Sequence, residues 1–210
     1  MDYTSALKWR YATKKFDRDK KIDQLVLDRI LEAGNLTATS LGLQAFKILK
    51  IDNQAVREAM LPYCYNQRQV VDASDVLVLC ADTHFDDSKV NRYMERISAT
   101  RNQDIEKLDG FKNMISGYLN SIDSSEKMDS WLSKQTYIAL GTLLTACALE
   151  KVDSCPMEGF QPNKISEVLG LEEKGLVPTL ILPVGYRSEE DGNQHLTKVR
   201  KAMDEFVETI

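Results

Sequence analysis

The run YIALGTLLTACAL, residues 137–149, decides the fold, since it places thirteen residues in succession without a charge. Together with the residues from Trp131 onward, it predicts a helix over residues 131–149. The run is too short for a bilayer span, which takes about 20 apolar residues, and it suits a buried helix instead. A helix that is apolar on every side needs cover on every side, and a partner subunit could supply part of that cover.

Two further apolar runs predict the centre of a sheet. VLVLCA, residues 76–81, and VPTLILPV, residues 177–184, suit strands that are buried on both faces, and prolines stand near both ends of the second run. Residues 46–51 alternate between apolar and polar and predict another strand. Strands interleaved with helices indicate a layered sheet of the α/β or α+β class. Helical spacing occurs at residues 23–33, 53–60 and 165–169.

The remaining stretches are less regular. Residues 86–122 are long, polar and helix-prone. The tail, residues 198–210, is ambiguous, because Val199, Met203 and Phe206 have helical spacing whereas residues 206–210 alone also suit a strand. No linker or repeat divides the sequence, so we expect one domain over residues 1–210.

The composition excludes several classes of protein. The chain has 210 residues and a formal charge of −5, which argues against a protein that coats nucleic acid with clustered basic side chains. Its four cysteines form no CxxC pair, so we expect no metal site and no disulfide framework, and a reducing, cytoplasmic compartment fits. Residues 1–9 contain no apolar segment of a secretory signal. We therefore expect neither a nucleic acid nor a membrane as partner.

Two basic clusters lie near opposite ends of the sequence. Arg10 and Lys14 are four residues apart, so a helical turn would place them on one face, where they could hold a phosphate. Lys198 and Arg200 form the second cluster. Each cluster alone is more commonly a solvated surface patch. The phosphate hypothesis gains if the fold brings the two clusters together.

The loop Pro-Met-Glu-Gly at residues 156–159 is the other candidate. Gly159 permits close approach of the backbone to a flat ligand, although an ordinary turn is the more common explanation. Glu158 could act as an acid or base, but no second carboxylate or histidine partners it in the sequence. The chain contains no P-loop, GxGxxG or nucleophile motif. A phosphate pocket without an acid–base pair indicates that a bound cofactor supplies the chemistry.

Taken together, these segments resemble the FMN-dependent nitroreductase family, close to its oxygen-insensitive enteric type. No single segment is decisive, but their order and spacing extend over essentially the whole chain. The segments are LKWRYATKKFD (7–17), NQRQVVDAS (66–74), KQTYIALG (134–141), PMEGF (156–160), GLEEKG (170–175), LPVG (182–185), SEED (188–191) and LTKVR (196–200).

The resemblance implies a fold and an assembly. It implies an α+β, three-layer α/β/α sandwich with a mixed central sheet. It also implies an obligate homodimer with two FMN sites in the subunit interface, where the helix at residues 131–149 packs against its partner. The C-terminal segment would be a domain-swapped strand in the partner's sheet, which favours the strand interpretation of residues 206–210.

The resemblance also implies a role for individual residues. It places Arg10, Lys198 and Arg200 at the FMN phosphate. Lys14 and Asn66 match residues at the pyrimidine edge of the flavin, and the backbone N–H of the Glu158–Gly159 loop faces flavin N5, so that Lys14 and Glu158 are the candidate catalytic residues. Pro156 and Met157 would cover one side of the ring. Thr39, Ser40 and Gly42 match positions that the partner subunit contributes.

Several positions depart from the family pattern. Tyr11, Ala12 and Gln69 stand at cofactor-binding positions, but Tyr11 and Ala12 replace a histidine and a serine, so some hydrogen bonds to the ribityl chain or phosphate are not carried over. Gln69 replaces a lysine and Gly42 an asparagine, and Ala45-Phe46 replaces Pro-Trp. Losing the lysine removes a positive charge near the reduced flavin, which should lower its reduction potential.

The resemblance implies a ping-pong reaction. NADH or NADPH would pass a hydride to flavin N5, and a small aromatic oxidant, either a nitroaromatic or a quinone, would then accept two electrons. Phe111 or Tyr118, in a helical lid, would contact this substrate. Two alternatives stay open, namely a flavoenzyme of the same fold that reduces a dihydropteridine, enone or halophenol, and a flavin-binding dimer without turnover.

Overall fold

The computed structural model describes residues 2–210, so the expected domain begins one residue outside this range, at Met1. Within it, nine α-helices and four strands follow one another along the chain. The helices are α1 (Tyr3–Trp9), α2 (Gln24–Asn35), α3 (Gln54–Met60), α4 (Gln69–Asp72), α5 (Asp87–Arg101), α6 (Asp109–Asn120), α7 (Ser125–Leu149), α8 (Pro162–Leu169) and α9 (Met203–Phe206). The strands are β1 (Phe46–Lys50), β2 (Asp75–Asp82), β3 (Asp153–Ser154) and β4 (Leu176–Gly185).

The four strands form one sheet in the order β1-β2-β4-β3, and every neighbouring pair is antiparallel. Strand β2 begins beside the end of β1, with Leu77 opposite Lys50, so the two strands run in opposite directions. The resemblance implies a mixed sheet, whereas the four strands of this single chain form an antiparallel sheet. Over residues 2–210, parallel pairing is confined to an isolated bridge between Ala12 and Ser154.

Both faces of the sheet are covered, which confirms the predicted buried strands and the three layers. Val76 and Val78 of β2 pack with the side chains of α3, α4 and α8. Leu77 and Leu79, which point the other way, pack with α2 and α7. The two prolines expected near the ends of β4 lie inside it, and Pro178 stands at a register shift where its missing N–H is tolerated.

The predicted central helix is α7. It begins at Ser125 rather than at Trp131, because the side chain of Ser124 accepts a hydrogen bond from the backbone N–H of Lys127 and caps the helix. One face packs against the sheet and α2. On the other face Tyr137 and Ile138 are 43% and 46% exposed, so this chain leaves part of the uncharged run at residues 137–149 uncovered.

The helix-prone stretch at residues 86–122 folds into two helices, α5 and α6. Helix α5 ends at Asn102, whose φ of 48° terminates it, and α6 follows after a short 3-10 turn. The two helices enclose an apolar cluster that includes Val90, Met94 and Ile115.

The tail forms one helical turn, α9, and residues 206–210 form no strand within the described chain. Met203 and Phe206 are 71% and 72% exposed. The domain-swapped strand requires a second chain and stays a prediction. No helix within residues 2–210 is long and apolar enough to cross a membrane.

Candidate functional site

The first wall of the site is the segment that follows α1. Helix α1 ends at Arg10, whose extended backbone redirects the chain along β3. Ala12 bridges to Ser154, and the backbone N–H of Thr13 donates to the Ser154 carbonyl over 3.2 Å. Arg10 therefore sits at a sharp change of direction beside the sheet, and it is not on a helical face shared with Lys14.

The second wall comes from the other end of the chain. Asp191 caps a 3-10 turn over Gly192–His195, and the chain then runs on in an extended form. The side-chain nitrogen of Lys198 donates to the carbonyl of Leu7 over 2.7 Å and to the carbonyl of Arg10. The fold thus brings the two basic clusters together, as the phosphate hypothesis required.

Between the walls lies a cavity of about 410 Å³, which we call the anion pocket. Its basic side chains crowd one another. Burial lowers the pKa of Arg10, and the charge of Arg200 lowers it further. Burial, Arg10 and Arg200 lower the pKa of Lys198 in the same way. The pocket is lined by Lys8, Trp9, Arg10, Tyr11, Ala12, Lys14, Asn193, Gln194, Leu196, Thr197, Lys198, Val199 and Arg200.

One atom of the anion pocket calls for a ligand. The Nε of Arg10 is buried and has no hydrogen-bond partner among residues 2–210. A buried donor on a charged group is costly to leave unpaired. Crowded cations with an unpaired donor are complementary to a dianion such as a phosphate monoester.

Asp191 connects the two walls. Its Oδ2 accepts hydrogen bonds from the Tyr11 hydroxyl at 3.0 Å and from the backbone N–H groups of Lys14 at 2.7 Å and Lys15 at 3.1 Å. Its Oδ1 accepts from the backbone N–H of Asn193 at 3.1 Å. The residue is 2% exposed. Burial alone would raise the pKa of this carboxyl, but the backbone donors outweigh it and hold the pKa below its usual value.

The side chain of Arg187 packs against the aromatic rings of Trp9 and Tyr11 beside the first wall. The Arg187 guanidinium lies between the rings of Trp9 and Tyr11, at 4.4 and 4.6 Å from their centroids. It also pairs with the buried carboxylate of Asp153, with Nε to Oδ1 at 2.8 Å. Tyr11, which departs from the family pattern, thus holds an arginine with its ring and Asp191 with its hydroxyl. Burial and the neighbouring Asp191 raise the pKa of Tyr11 to about 12.

Lys14 lines the anion pocket, and its side chain also reaches Cys155, which precedes the loop at residues 156–159. Its Nζ lies 3.9 Å from the Sγ of Cys155. Burial raises the pKa of the Cys155 thiol, whereas Lys14 and the side chain of Gln69 oppose that rise. Gln69 is only 6% exposed. Lys14 and Gln69, which the resemblance assigns to one site, therefore both lie next to Cys155.

The loop at residues 156–159 is held at both ends. Met157 pairs with Ile181 of β4 and its side chain is buried in the core, while Pro156 is half-buried. The side-chain amide of Gln67 donates to the Gly159 carbonyl over 2.9 Å, and a Cβ at Gly159 would lie 2.9 Å from that amide nitrogen. Asn66 immediately precedes Gln67 in the chain; its φ is 55° and its side chain is exposed.

The carboxylate of Glu158 is already engaged. Its Oε1 accepts a hydrogen bond from the Tyr137 hydroxyl of α7 over 2.9 Å. The side chain is otherwise exposed. This contact fixes the side chain of Glu158 outward and leaves its backbone N–H as the group that the loop offers to a ligand.

Other predicted residues lie apart from this site within one chain. Thr39 accepts from the Gln44 backbone, and the N–H of Ser40 donates to Gln135 over 2.9 Å. Gly42 has φ of 74° and packs against the Tyr93 hydroxyl. None of the hydrogen bonds that this loop makes within residues 2–210 reaches the anion pocket. Their contribution to the site of a second subunit stays a prediction.

The two lid candidates lie in α6, next to the aromatic side chains of α5 and α7. The ring of Phe111 is 6.4 Å from that of Tyr93, and the ring of Tyr118 is 6.1 Å from that of Trp131, measured between centroids. Tyr118 is 41% exposed. The two side chains border the aromatic cluster, and their contact with a substrate stays a prediction.

Sequence reasoning missed three residues that organise the site, namely Asp191, Arg187 and Trp9. The segment SEED ends at Asp191, but only the following Gly-Asn pair hinted that this carboxylate begins a turn. Nothing in the sequence pairs Arg187 with Asp153. Over residues 2–210 no group of three or more histidine, cysteine, aspartate or glutamate side chains is arranged to hold a metal ion.

Comparison with known proteins places this geometry in context. The model of the nitroreductase family matches residues 7–186. A protein of Staphylococcus haemolyticus, provisionally named an NAD(P)H nitroreductase, is 32% identical over 98% of this chain and 96% of its own. The crystal structure of ydfN from Bacillus subtilis, provisionally a nitroreductase, has a TM-score of 0.87 at 18% identity and covers 99% of this chain and 98% of its own. A structure from Exiguobacterium sibiricum, in complex with FMN, has a TM-score of 0.84 at 19% identity and covers 100% and 98%.

Proposed function

This chain belongs to the nitroreductase family, and from that premise we propose that it is an FMN-dependent NAD(P)H oxidoreductase that reduces nitroaromatics or quinones by two electrons. We propose that it acts as one domain over residues 1–210 in the cytoplasm, where its four buried, free cysteines would stay reduced. We also propose that it is of the oxygen-insensitive enteric type.

The observation that carries the proposal is the anion pocket. Arg10, Lys198 and Arg200 would hold the phosphate of FMN, and the buried Nε of Arg10 would gain the partner that it lacks. Without an anion, the basic side chains of the pocket repel one another. This repulsion, together with burial, lowers the pKa values of Arg10 and Lys198. A dianion would offset that repulsion and raise both pKa values toward their usual range.

The polar side chains near Cys155 would bind the flavin ring. FMN, when bound, supplies the redox chemistry by accepting a hydride equivalent and passing two electrons to an oxidant. Lys14 would place a positive charge at the pyrimidine edge, with Gln69 and Asn66 as hydrogen-bonding neighbours. Tyr11 and Ala12 would line the ribityl chain, and Pro156 and Met157 would border the ring.

The protein's own part in the reaction would be positioning and electrostatics rather than proton transfer by a side chain. The Tyr137 hydroxyl holds the Glu158 carboxylate, so Glu158 would act through its backbone N–H, with Gly159 allowing close approach. Lys14 would stabilise negative charge that develops beside it.

We further propose a homodimer. The uncharged face of α7 needs cover, and the arm at residues 202–210 exposes apolar side chains such as Phe206. Strand β1 is an edge of the sheet beside a groove of about 420 Å³ that includes Phe46, Ile48 and Arg96, so it can accept the arm of a second chain. In that arrangement Thr39, Ser40 and Gly42 would come from the partner, and Phe111 and Tyr118 would border its substrate slot.

Three measurements test the proposed function. The purified protein should bind added FMN and show a flavin absorbance band near about 450 nm. Anaerobic addition of NADH or NADPH should bleach this band, and a nitroaromatic or a quinone should restore it without oxygen consumption. Protein that takes up no FMN contradicts the whole proposal, and FMN-loaded protein that neither coenzyme bleaches is a binder rather than an enzyme. A panel that also contains an enone, a pteridine and a halophenol identifies the oxidant.

A shortened chain tests the homodimer. Removing residues 202–210 leaves Lys198 and Arg200 in place, and we expect it to shift the mass in solution from dimer to monomer. A full-length chain that is monomeric at micromolar concentration contradicts the assembly.

A further inference from the structure

We propose that Asp191 is a positioning residue that makes the anion pocket prefer a phosphorylated flavin to riboflavin, by holding the two walls of the pocket in one arrangement. The inference rests on the proposed function, because it concerns the same pocket and its FMN phosphate. It adds a determinant of ligand choice that is an acidic residue in a basic site.

The two carboxylate oxygens of Asp191 accept hydrogen bonds from different walls of the pocket. Oδ2 takes three donors from the first wall, which are the Tyr11 hydroxyl and the backbone N–H groups of Lys14 and Lys15. Oδ1 takes the N–H of Asn193 and thereby starts the turn that leads to Lys198. One buried carboxylate is thus bonded directly to both segments of the pocket.

The pocket needs such a link because its own charges push it apart. Arg10 belongs to the first wall, whereas Lys198 and Arg200 belong to the second, and each wall carries the same sign of charge. The second wall, from residue 193 onward, lies in no strand of the sheet, and its other bonds to the first wall come from Lys198 itself. Without Asp191, repulsion would move Lys198 and Arg200 away from Arg10.

The chemistry of the four donors explains why the residue is an aspartate. Three N–H groups and one hydroxyl converge on two oxygens, and an ionised carboxylate is a pure acceptor that satisfies them all. An asparagine of the same shape would turn an NH₂ group toward one wall and leave its donors unpaired. Asp191→Asn therefore releases one wall without changing the volume of the side chain.

Two explanations of the role of Asp191 predict opposite effects of Asp191→Asn on the affinity for a phosphate. If the carboxylate acted only through its charge, removing a negative charge beside the pocket would strengthen the binding of a phosphate. If it positions the cations, removing it weakens phosphate binding by more than it weakens binding of the ring. Riboflavin, which has the same ring and no phosphate, separates a loss of the pocket from a loss of the fold.

The experiment measures the dissociation constants of FMN and riboflavin for the full-length protein and its variants. We expect wild-type protein to prefer FMN, and Asp191→Asn to reduce this preference by about tenfold or more while riboflavin binding changes by less than about threefold. Asp191→Glu, which keeps an acceptor-only group, should recover part of the preference. Glu189→Gln removes the same charge from an exposed side chain two positions away and should keep the preference intact.

Each outcome decides the matter. An unchanged or larger preference in Asp191→Asn overturns the inference, and so does an equal loss of both flavins, which would mean a purely structural role. If Asp191→Asn does not fold, Tyr11→Phe decides, because it removes one donor and should reduce the preference by about two- to fivefold, and an unchanged preference there overturns the inference. Wild-type protein that binds neither flavin overturns the proposed function, and this inference with it.

Discussion

The side-chain nitrogen of Lys198 donates a hydrogen bond to the backbone carbonyl of Arg10, although the two residues lie 188 positions apart in the chain. The same nitrogen reaches the carbonyl of Leu7. These hydrogen bonds of Lys198 link the second wall of the anion pocket to the backbone of the first. They also place the Lys198 charge near the guanidinium of Arg10.

Arg10→Ala and Lys198→Ala should each weaken FMN binding by about 10- to 100-fold, because each removes a charge-assisted hydrogen bond to the phosphate. Titration of the unloaded protein with FMN, followed by flavin fluorescence, measures the change. Lys201→Ala is the matched control, since Lys201 is exposed and lies outside the pocket. Full FMN affinity in both pocket variants would show that the phosphate assignment is wrong.

Gln69→Lys should raise the reduction potential of the bound flavin by tens of millivolts. The new ammonium would lie with Lys14 in the buried cluster at Cys155 and would favour the negatively charged reduced flavin. An anaerobic redox titration against a reference dye gives the potential. Gln24→Lys adds the same charge on exposed helix α2 and should leave the potential unchanged. Equal potentials for wild-type protein and Gln69→Lys would refute the electrostatic role of this position.

Glu158→Gln should keep the rate of flavin bleaching by NADH or NADPH within about threefold of wild type, whereas loss of a general acid or base costs about 100-fold or more. The Tyr137 hydroxyl can still donate to the glutamine oxygen, so the loop should stay in place. Stopped-flow bleaching over a range of pH measures this rate. A loss near 100-fold would assign acid–base work to the Glu158 carboxylate.

Gly42→Ala should destabilise the protein by about 1–3 kcal/mol. The backbone φ of 74° is unfavourable for alanine, and the added Cβ would collide with the Tyr93 hydroxyl. Tyr93→Phe in the same chain should recover part of the loss, because it removes the colliding oxygen. Urea unfolding gives the free energies for this double-mutant cycle. Gly117→Ala, within α6 with nothing near its added Cβ, should instead stabilise by up to about 1 kcal/mol.

Tyr11 should contribute a pH-dependent part of the stability in alkali. Burial, the hydrogen bond to Asp191 and the Asp191 charge raise its pKa from 10.0 to about 12, and Arg187 opposes them. The folded state therefore holds the phenol proton more tightly than the unfolded state. This contribution is complete below pH 10.0 and is lost as the pH rises toward about 12.

Urea unfolding near about pH 9 and about pH 11.5 measures this contribution, which we expect to be about 1–2 kcal/mol because Tyr11 is partly exposed. Tyr11→Phe should lose less stability than wild type between the two conditions. An identical loss in both proteins would mean that Tyr11 titrates normally.

Local spacing predicts much of this fold. The alternation at residues 46–51 and the apolar run at residues 76–81 predict β1 and β2, and the uncharged run at residues 137–149 predicts the C-terminal half of α7, which is buried on one face. These features depend on neighbours in the sequence, which a periodic pattern records directly. The helical tendency of residues 86–122 does not locate the boundary between α5 and α6, because Asn102 terminates α5 through a left-handed backbone that apolar spacing does not record.

The site was only partly predictable. Arg10 and Lys198 were found as basic residues whose meaning depended on the fold, and the fold did bring them together. Asp191 was missed because its partners Tyr11 and Lys14 lie 180 and 177 positions away. Gly42 was recorded as a departure from the family pattern, but its reason, the Tyr93 hydroxyl, lies on another helix. Sequence spacing carries no record of such distant contacts.

The anion pocket joins residue 10 to residues 198 and 200 and so takes its walls from opposite ends of the chain. During synthesis on the ribosome all four strands emerge before Lys198, so no shorter nascent chain contains both walls. A truncated chain that keeps the whole sheet would therefore still lack a complete anion pocket.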